Sequence, residues 1–156
     1  MRKTAIVMGA IVLMAGGLQV VSAHEAKDLP AGPIRDRHEL MEGIGKNAKA
    51  IGTSLQEGGA GDRVKIADWA LKIQTSASKI AGLFPKGSTD PKSRAKPEIW
   101  THWDKFMADA VDLQRQTEKL VEIAKTGDMK ATQAQMVIVG KGSCIDCHDD
   151  FVKSGD

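Results

Sequence analysis

The strongest constraint on the fold is a run of apolar side chains at steps of three and four residues in the second half of the chain. It begins after Pro97 and continues without interruption to Ala124. This spacing places every apolar side chain on one face of an α-helix. Pro97 suits the first helical position because its ring fixes φ near the helical value and no hydrogen bond is needed there. The stripe consists of Ile99, Trp103, Phe106, Ala110, Leu113, Thr117, Leu120 and Ala124.

Three further segments carry apolar stripes of the same kind, each bounded by residues that start or stop helices. One covers residues 34–55 and ends at a glycine-rich stretch. The next starts after Asp62, a favoured N-cap residue type, and ends near Leu83. The last follows Gly127 and Asp128, which can close one helix and cap the next. The inner faces hold Ile34, Met41, Ile44, Ala48, Ile51 and Leu55; Ile66, Trp69 or Ala70, Ile73, Ala77 and Ile80; and Met129, Thr132, Met136, Val139, Ser143 and Cys147.

The chain lacks any sustained alternation of β-branched residues, which is the pattern of a half-buried strand. The sequence therefore predicts an all-α protein. Short turns make helices one and two, and helices three and four, antiparallel neighbours, and an antiparallel four-helix bundle buries four stripes most directly. Residues 84–96 are rich in Pro, Gly, Ser and Asp, which predicts an ordered surface loop as the longest connection.

The N-terminus has the pattern of a secretory signal peptide. Two basic residues, Arg2 and Lys3, precede an apolar run over residues 5–15, and small residues end at Ala23. A membrane anchor is the weaker alternative, because glycines interrupt the run well short of the roughly 20 apolar residues that a span needs. The sequence predicts a signal peptide over residues 1–23, cleaved near Ala23, and one mature domain over residues 24–156 without a membrane span.

Cleavage also changes the charge balance of the chain. Removing Arg2 and Lys3 reduces the 22 basic residues to 20, which equals the 20 acidic residues. A neutral chain with interspersed charges lacks the clustered Lys and Arg that nucleic-acid binding requires. We therefore expect no nucleic-acid partner.

The motif that carries the chemistry lies near the C-terminus. Residues 144–148, Cys-Ile-Asp-Cys-His, match C-x-x-C-H, the attachment motif of c-type haem. On a helix, residues three and four apart share a face, so Cys144, Cys147 and His148 point the same way. Two thiols can then bond the two vinyl groups of one porphyrin while His148 approaches the iron from the same side. The motif predicts one covalently attached haem c.

Two other uses of these cysteines are less well supported. An exported chain can oxidise Cys144 and Cys147 to a disulfide, giving a haem-free binding or structural module. A redox-active Cys-x-x-Cys, however, is typical of a helix that follows a strand, and no strand is predicted before residue 144. A structural zinc site needs roughly four ligands, and this group supplies three.

The second axial ligand is less clearly specified, since Met and His are both common there. Met41 lies on the inward line of helix one, where it can face a haem across the bundle or simply fill a gap in the core. Spacing supports both roles equally. We expect His38 at the surface because it follows a charged run, and His102 off the inner stripe; His24 has no second histidine placed beside it. We expect the other methionines of the helices to be packing or surface residues: Met107, Met129 and Met136.

Together these features resemble the class II c-type cytochromes, the cytochrome c-prime family, whose haem motif lies near the C-terminus of an antiparallel four-helix bundle. Residues 34–41, Ile-Arg-Asp-Arg-His-Glu-Leu-Met, followed by Ile44 and Gly45, resemble the family's first helix. Residues 95–100, Ala-Lys-Pro-Glu-Ile-Trp, resemble its entry to helix three. The resemblance covers residues 33–153, with the three blocks in the family's order.

The resemblance implies roles for two residues of helix one. In the family, the residue four after the helix-one arginine faces the vacant side of the iron; here Arg37 is that arginine and Met41 is that residue. It also implies that Arg37 lies near a haem propionate, whereas a charge on a helix surface is the simpler interpretation of the same residue. High-spin members have an open distal face that binds nitric oxide or carbon monoxide. Low-spin members, including those named cytochrome c-556, use Met as sixth ligand, although some high-spin members also carry an unligated Met here.

One departure separates this chain from the high-spin members. They usually have Tyr-Arg two residues after Cys-His, whereas here Asp149 and Asp150 are followed by Phe151 and Val152. The proximal arginine is missing, and Lys153 substitutes for it only partly. This loss argues against proximal nitric oxide chemistry in this chain.

The sequence and the resemblance thus predict a periplasmic, single-haem electron carrier with iron between His148 and Met41, and not an enzyme. Its expected partners are redox proteins of a respiratory or photosynthetic chain. The alternative is a high-spin cytochrome that binds nitric oxide or carbon monoxide at an open distal site. A homodimer through helices one and two is compatible with the sequence, as is a monomer.

Overall fold

The computed structural model describes residues 26–59 and 61–154; the predicted signal peptide lies outside the described residues. The described chain is helical, with short 3-10 turns before the first helix and after the second, and it contains no strand. An isolated β-bridge joins Ala95 to Val152. The helices are α1 (Pro33–Gln56), α2 (Arg63–Ala77), α3 (Glu98–Thr101), α4 (Trp103–Thr126), α5 (Met129–Val137), a π-helical segment (Ile138–Ile145) and α6 (Asp146–Phe151).

The long helices form a four-helix bundle, as predicted, with the last member built from α5, the π segment and α6 in succession. Helix α2 packs most extensively on α4 and also on α1, while α4 packs on α5 and the π segment. The predicted stripes supply the core, because nearly all of their members are buried or pack against buried neighbours. The largest fully buried side chains are Ile51, Ile66, Ile73, Ile99, Leu120, Val139, Thr117 and Thr132.

The helix ends follow the predicted capping residues with one exception. Gly127 closes α4 with φ 82°, a conformation that glycine adopts without steric cost. The carboxylate of Asp128 then accepts a hydrogen bond from the amide of Ala131 at 2.9 Å and caps α5. Asp62 precedes α2 but makes no capping bond. Its carboxylate instead accepts a hydrogen bond from the hydroxyl of Ser54 at 3.0 Å, which joins α2 to α1.

Helix α2 is shorter than predicted. The α-helix ends at Ala77, not near Leu83, and the chain continues through a turn into the 3-10 helix Ala81–Leu83. The amide of Ile80 bonds to the carbonyl of Ala77 at 3.2 Å, which tightens the path to three residues per turn. The tighter path keeps Ile80 and Phe84 buried. Apolar spacing therefore continues beyond the α-helix because the following turn faces the same core.

The third predicted helix is interrupted at His102, where φ −118° and ψ 44° leave the helical region. The prediction of one unbroken helix from Pro97 was wrong at this point. The indole N–H of Trp100 donates to the carbonyls of Phe84 and Pro85, each at 3.1 Å. Ile99 is buried as well. The two Trp100 bonds tie the short α3 to the preceding loop, so its direction is set by the loop and not by α4.

An aromatic cluster connects the loop, α4 and α6. The ring of Phe106 lies 4.8 Å from Phe84, 5.6 Å from Trp103 and 5.4 Å from Phe151, measured between ring centroids. Two of these pairs are edge-to-face, a favourable arrangement for aromatic rings. The cluster fixes Phe151, three residues after His148, against the start of α4.

Within residues 26–59 and 61–154, the helices are all too short or too polar to cross a membrane.

Candidate functional site

The Cys-x-x-Cys-His motif spans the junction between the π segment and α6. Cys144 belongs to the π segment, and Cys147 and His148 lie in α6. Both cysteines are half-buried and pack against the hydrophobic core. The predicted common side for the two sulfurs is thus the inner side of the last helix. The π segment that leads into the motif was not predicted; such wider turns inside α-helices are frequent at functional sites.

Both cysteines are free thiols in the structure. Burial raises the pKa of Cys144. Burial, together with the nearby negative charge of Asp109, raises the pKa of Cys147 to about 12. Both side chains are therefore neutral thiols at physiological pH.

The His148 imidazole follows the second thiol on α6. His148 is exposed, yet partial desolvation of the ring lowers its pKa. The positive charge of Arg94 lowers it further, and Asp149 opposes both effects. The neutral imidazole, which is the form that binds metals, is thus favoured at neutral pH. The His148 carbonyl accepts a hydrogen bond from the amide of Val152 at 2.9 Å, which closes α6.

Met41 lies on the inner side of α1, half-buried and packed against the core. Its inward position is as predicted, and Ile44, one turn later, is buried. His102 is exposed as predicted, but His38 is half-buried and not fully at the surface. His24 lies outside the described residues. Met129 and Met136 pack against the core and Met107 is half-buried, in agreement with packing roles.

Arg37 is not the solvated charge on a helix surface that the simpler interpretation predicts, because only 4% of the residue is exposed. Its guanidinium donates to the hydroxyl and carbonyl of Ser88 at 2.9 and 2.8 Å and to the hydroxyl of Ser93 at 2.9 Å. It also lies 4.8 Å from the centre of the Phe84 ring. Burial lowers the pKa of Arg37, and the charge of Asp90 opposes that shift. Arg37 is thus a buried cation that ties α1 to the 84–96 loop.

The 84–96 loop also binds the segment that follows the motif. The amide of Lys96 donates to the carbonyl of Phe151 at 2.9 Å, and the amide of Lys153 donates to the carbonyl of Arg94 at 2.8 Å. Ser93 joins the two sides: its hydroxyl accepts from Arg37, and its carbonyl accepts from the Lys153 ammonium at 2.8 Å. The composition of the loop predicts its existence but not its hydrogen bonds to the segment after the motif, since nothing local to residues 93–96 indicates a partner almost 60 residues away.

A chain of polar side chains holds the π segment against α4. The hydroxyl of Ser143, just before the first cysteine, donates to the carboxylate of Asp112 at 2.7 Å. One turn along α4, the Gln116 amide donates to the same carboxylate and accepts from Gln135 on α5 at 3.0 Å. Burial alone raises the pKa of Asp112, but hydrogen bonds from Arg115, Ser143 and Gln116 together lower it. Gln135 and Ser143 are buried, and the burial of Gln135 was not predicted.

A second charged group flanks the motif on the α4 side. The Lys105 ammonium lies 3.0 Å from the carboxylate of Asp109 and 2.7 Å from that of Asp150, two residues after His148. Hydrogen bonds that Lys105 donates to both carboxylates raise its pKa. Lys105 also lies 5.4 Å from the centre of the Phe151 ring, so α4 and α6 are joined by charge as well as by packing.

Comparison with known proteins matches this arrangement to one family. The family model described as Cytochrome C' aligns with residues 32–152, which include every α-helix of the described residues and the motif. The chain belongs to the cytochrome c' family. The resemblance inferred from the three sequence blocks is confirmed, as is the four-helix-bundle fold of this family.

Individual relatives carry both names that the resemblance suggested. The chain is 30% identical to cytochrome c' of Rhodospirillum rubrum over 142 residues, which cover 90% of this chain and 95% of the relative. It is 26% identical to cytochrome c-556 of Agrobacterium tumefaciens over 121 residues, 78% of this chain and 97% of that one. A nitric oxide complex of a cytochrome c prime variant from Alcaligenes xylosoxidans shares the fold with a TM-score of 0.71, 21% identity, and coverage of 86% and 100%.

Members of the cytochrome c' family bind one covalent haem c, and this chain is a mono-haem class II cytochrome. The residues present fit that cofactor. Two neutral thiols on the inner side of the last helix are followed directly by a histidine whose neutral form is favoured. This donor set suits two thioether bonds and one axial iron ligand.

Proposed function

We propose that Cys144 and Cys147 hold the haem through thioether bonds and that His148 is the proximal iron ligand. Each thiol adds its sulfur and its hydrogen across one vinyl group, so that bond formation requires no external oxidant or reductant. The placement of both thiols, half-buried against the core and followed directly by His148, supports this assignment. The haem supplies the one-electron chemistry of its iron.

Met41 is the sixth ligand in this proposal, and Arg37 binds a haem propionate. The observation that carries the proposal is the position of Met41, packed against the core on α1 one helical turn after the buried Arg37. A guanidinium has five N–H groups, and the bonds to Ser88 and Ser93 use three of them. Two remain for a carboxylate. A thioether ligand favours reduced iron and raises the reduction potential.

The function that follows is a periplasmic electron carrier, not an enzyme, that exchanges one electron with redox partner proteins. The residues of this chain bind the cofactor and keep its surroundings rigid, so that little rearrangement accompanies electron transfer. Fractionation of cells that express the full chain tests the location. Recovery of the haem protein in the cytoplasm would contradict export.

The alternative function is gas binding at an open distal face, with Met41 only packing over the iron. The nitric oxide complex of the Alcaligenes xylosoxidans variant favours this alternative, as does the name of the Rhodospirillum rubrum relative. One residue argues against nitric oxide binding on the proximal side: Val152 occupies the position at which high-spin members usually have arginine. Lys153 is also committed to the carbonyl of Ser93.

Absorption spectra of the oxidised and reduced protein, with and without carbon monoxide, test the choice between carrier and gas binder. Wild type should show low-spin bands and bind little carbon monoxide, whereas Met41→Ala should become high-spin and bind it readily. Met136→Ala, which truncates another half-buried core methionine, is the matched control and should keep the wild-type spectrum. A high-spin wild type that Met41→Ala leaves unchanged would establish the gas binder.

A homodimer through α1 and α2 belongs to the same proposal. Val64 and Leu71 lie one above the other on α2 and are 74% and 49% exposed, which supports a partner on this helix. Sedimentation of the haem-loaded protein decides the question. A single monomeric species at all concentrations would exclude the dimer.

A further inference from the structure

Several cations on the described helices are paired with carboxylates. These pairs include Lys46 with Glu42, Lys65 with Asp62, Lys72 with Asp68, Lys105 with Asp109 and Asp150, Arg115 with Asp112, and Lys125 with Glu122. Such pairs cancel much of the local charge that a partner protein would meet.

Four cations at one end of the bundle are held differently, and we call Lys92, Arg94, Lys96 and Lys153 the basic patch. Each donates to a backbone carbonyl: Lys92 to Asp28 at 3.2 Å, Arg94 to Lys153 at 2.9 Å, Lys96 to Asp149 at 2.8 Å and Lys153 to Ser93 at 2.8 Å. A carbonyl fixes the position of a cation without neutralising it. None of the four forms an ion pair within the described parts of the chain.

Two carboxylates near the basic patch are engaged with other cations. Asp150 is paired with Lys105, and the charge of Asp90 acts on the buried Arg37. Residues 84–96 contain four basic residues and one acidic residue. This excess of basic residues leaves the loop with a net positive charge. Because the chain from residue 24 has equal numbers of acidic and basic residues, this excess is local to the loop.

The basic patch adjoins the residues proposed to hold the haem. Lys96 is bonded to the carbonyl of Asp149, the residue after His148, and the charge of Arg94 acts on the His148 ring. The bridge between Ala95 and Val152 fixes the backbone between these cations. A cation that is already ordered loses less conformational freedom on binding than a free lysine does.

We propose that the basic patch is the docking surface for an electron-transfer partner protein with an acidic face. This inference rests on the proposed carrier function. One electron passes from the reduced partner to the ferric haem, and no bond forms and no proton moves. Complementary charge raises the rate of encounter and orients the partner toward the proximal side.

An acidic protein fits this patch better than an anionic membrane does. Helices and loops that bind membrane surfaces usually place large apolar side chains beside their cations. The exposed large apolar residues of the described chain all lie on helices outside the patch: Val64, Leu71, Val111, Val137, Ile138 and Ile145.

The test is stopped-flow reduction of the oxidised, haem-loaded protein by dithionite-reduced flavodoxin, a small acidic one-electron carrier, over a range of ionic strengths. Wild type should react fastest at low salt and slow as salt screens the charges. The patch variant Arg94→Gln/Lys96→Gln/Lys153→Gln should react about tenfold more slowly at low salt and approach the wild-type rate at high salt.

Two further variants separate charge position from net charge and from structure. The control Lys49→Gln/Lys119→Gln/Lys130→Gln removes three exposed cations nearer the opposite end of the bundle and should stay within about twofold of wild type. Arg94→Lys/Lys96→Arg/Lys153→Arg keeps the charges, alters the hydrogen bonds and should react like wild type.

Several results would overturn the proposal. These are a wild-type rate independent of salt, equal slowing in the patch variant and the control, or slowing in the charge-preserving variant as large as in the neutral one. A flavodoxin rate unaffected in the patch variant, together with loss of binding to phosphatidylglycerol vesicles, would assign the patch to a lipid surface. All the variants compared keep Met41, so the ligation of the iron is the same in each and differences in rate report docking alone. Failure of Met41 ligation is read separately from the absorption spectrum.

Discussion

Replacing Arg37 by Met is expected to destabilise the haem-loaded protein by about 2–4 kcal/mol. Arg37 makes three hydrogen bonds as a charged donor, and such bonds contribute roughly 1.5–3 kcal/mol each. Keeping a guanidinium out of water costs several kcal/mol, which offsets part of that sum. Methionine fills similar volume but leaves the Ser88 hydroxyl and carbonyl without their partner.

The assay is thermal unfolding followed by circular dichroism at neutral pH. At about 3 °C per kcal/mol for a chain of this size, Arg37→Met should melt roughly 10 °C below wild type. Arg63→Met is the control, because Arg63 is exposed at the first position of α2 and should shift stability by less than about 0.5 kcal/mol.

Ser93→Ala provides a second test of the same reasoning. It removes the acceptor of one Arg37 bond and should cost about 1–2 kcal/mol. Since both substitutions break the same contact, the double variant should lose less stability than the two single losses combined. A melting temperature of Arg37→Met within 2 °C of wild type, or full additivity, would refute the view that Arg37 anchors the 84–96 loop.

Three further predictions concern the rest of the site and the bundle. Cys144→Ala/Cys147→Ala should fold as a helical protein but lose the haem stain after denaturing electrophoresis; retained staining would refute the assignment. Asp112→Asn should lower the urea unfolding free energy by about 1 kcal/mol at pH 7. Because the folded pKa of Asp112 is lowered, its contribution exists above its unfolded pKa and is lost as pH falls, so the difference from wild type should shrink at pH 3. Asp128→Ala should cost about 1 kcal/mol through loss of the α5 cap, measured in the same way.

The sequence predicted most of the bundle because apolar spacing reports directly on which side of a helix is buried. The stripe from Ile99 to Ala124 is almost entirely inside. Apolar spacing does not show where a helix breaks, because a turn that faces the core continues the same spacing of apolar residues. The break at His102 and the early end of α2 at Ala77 were therefore missed. The π segment was missed for the same reason, because steps of four residues around Val139 suit either kind of helix.

The site was predictable to the extent that its chemistry is local. C-x-x-C-H is a contiguous motif, and the inward position of Met41 follows from its register on α1. Arg37 could not be placed correctly, because its neighbours in sequence are charged whereas its partners lie more than 50 residues away. Only the folded chain brings Ser93 beside it.

The 84–96 loop links the two segments that are proposed to ligate the iron. Through Ser93 it binds Arg37, one turn before Met41, and Lys153, five residues after His148. A movement of α1 away from the haem would have to break these hydrogen bonds or pull the segment after His148 along with it. Coupling of this kind keeps both sides of the iron in fixed relation, which is what a carrier needs if the geometry is to change little between oxidation states. The same backbone pairing holds the cations of the basic patch in place, so one loop can both stiffen the site and present the surface at which a partner would deliver its electron.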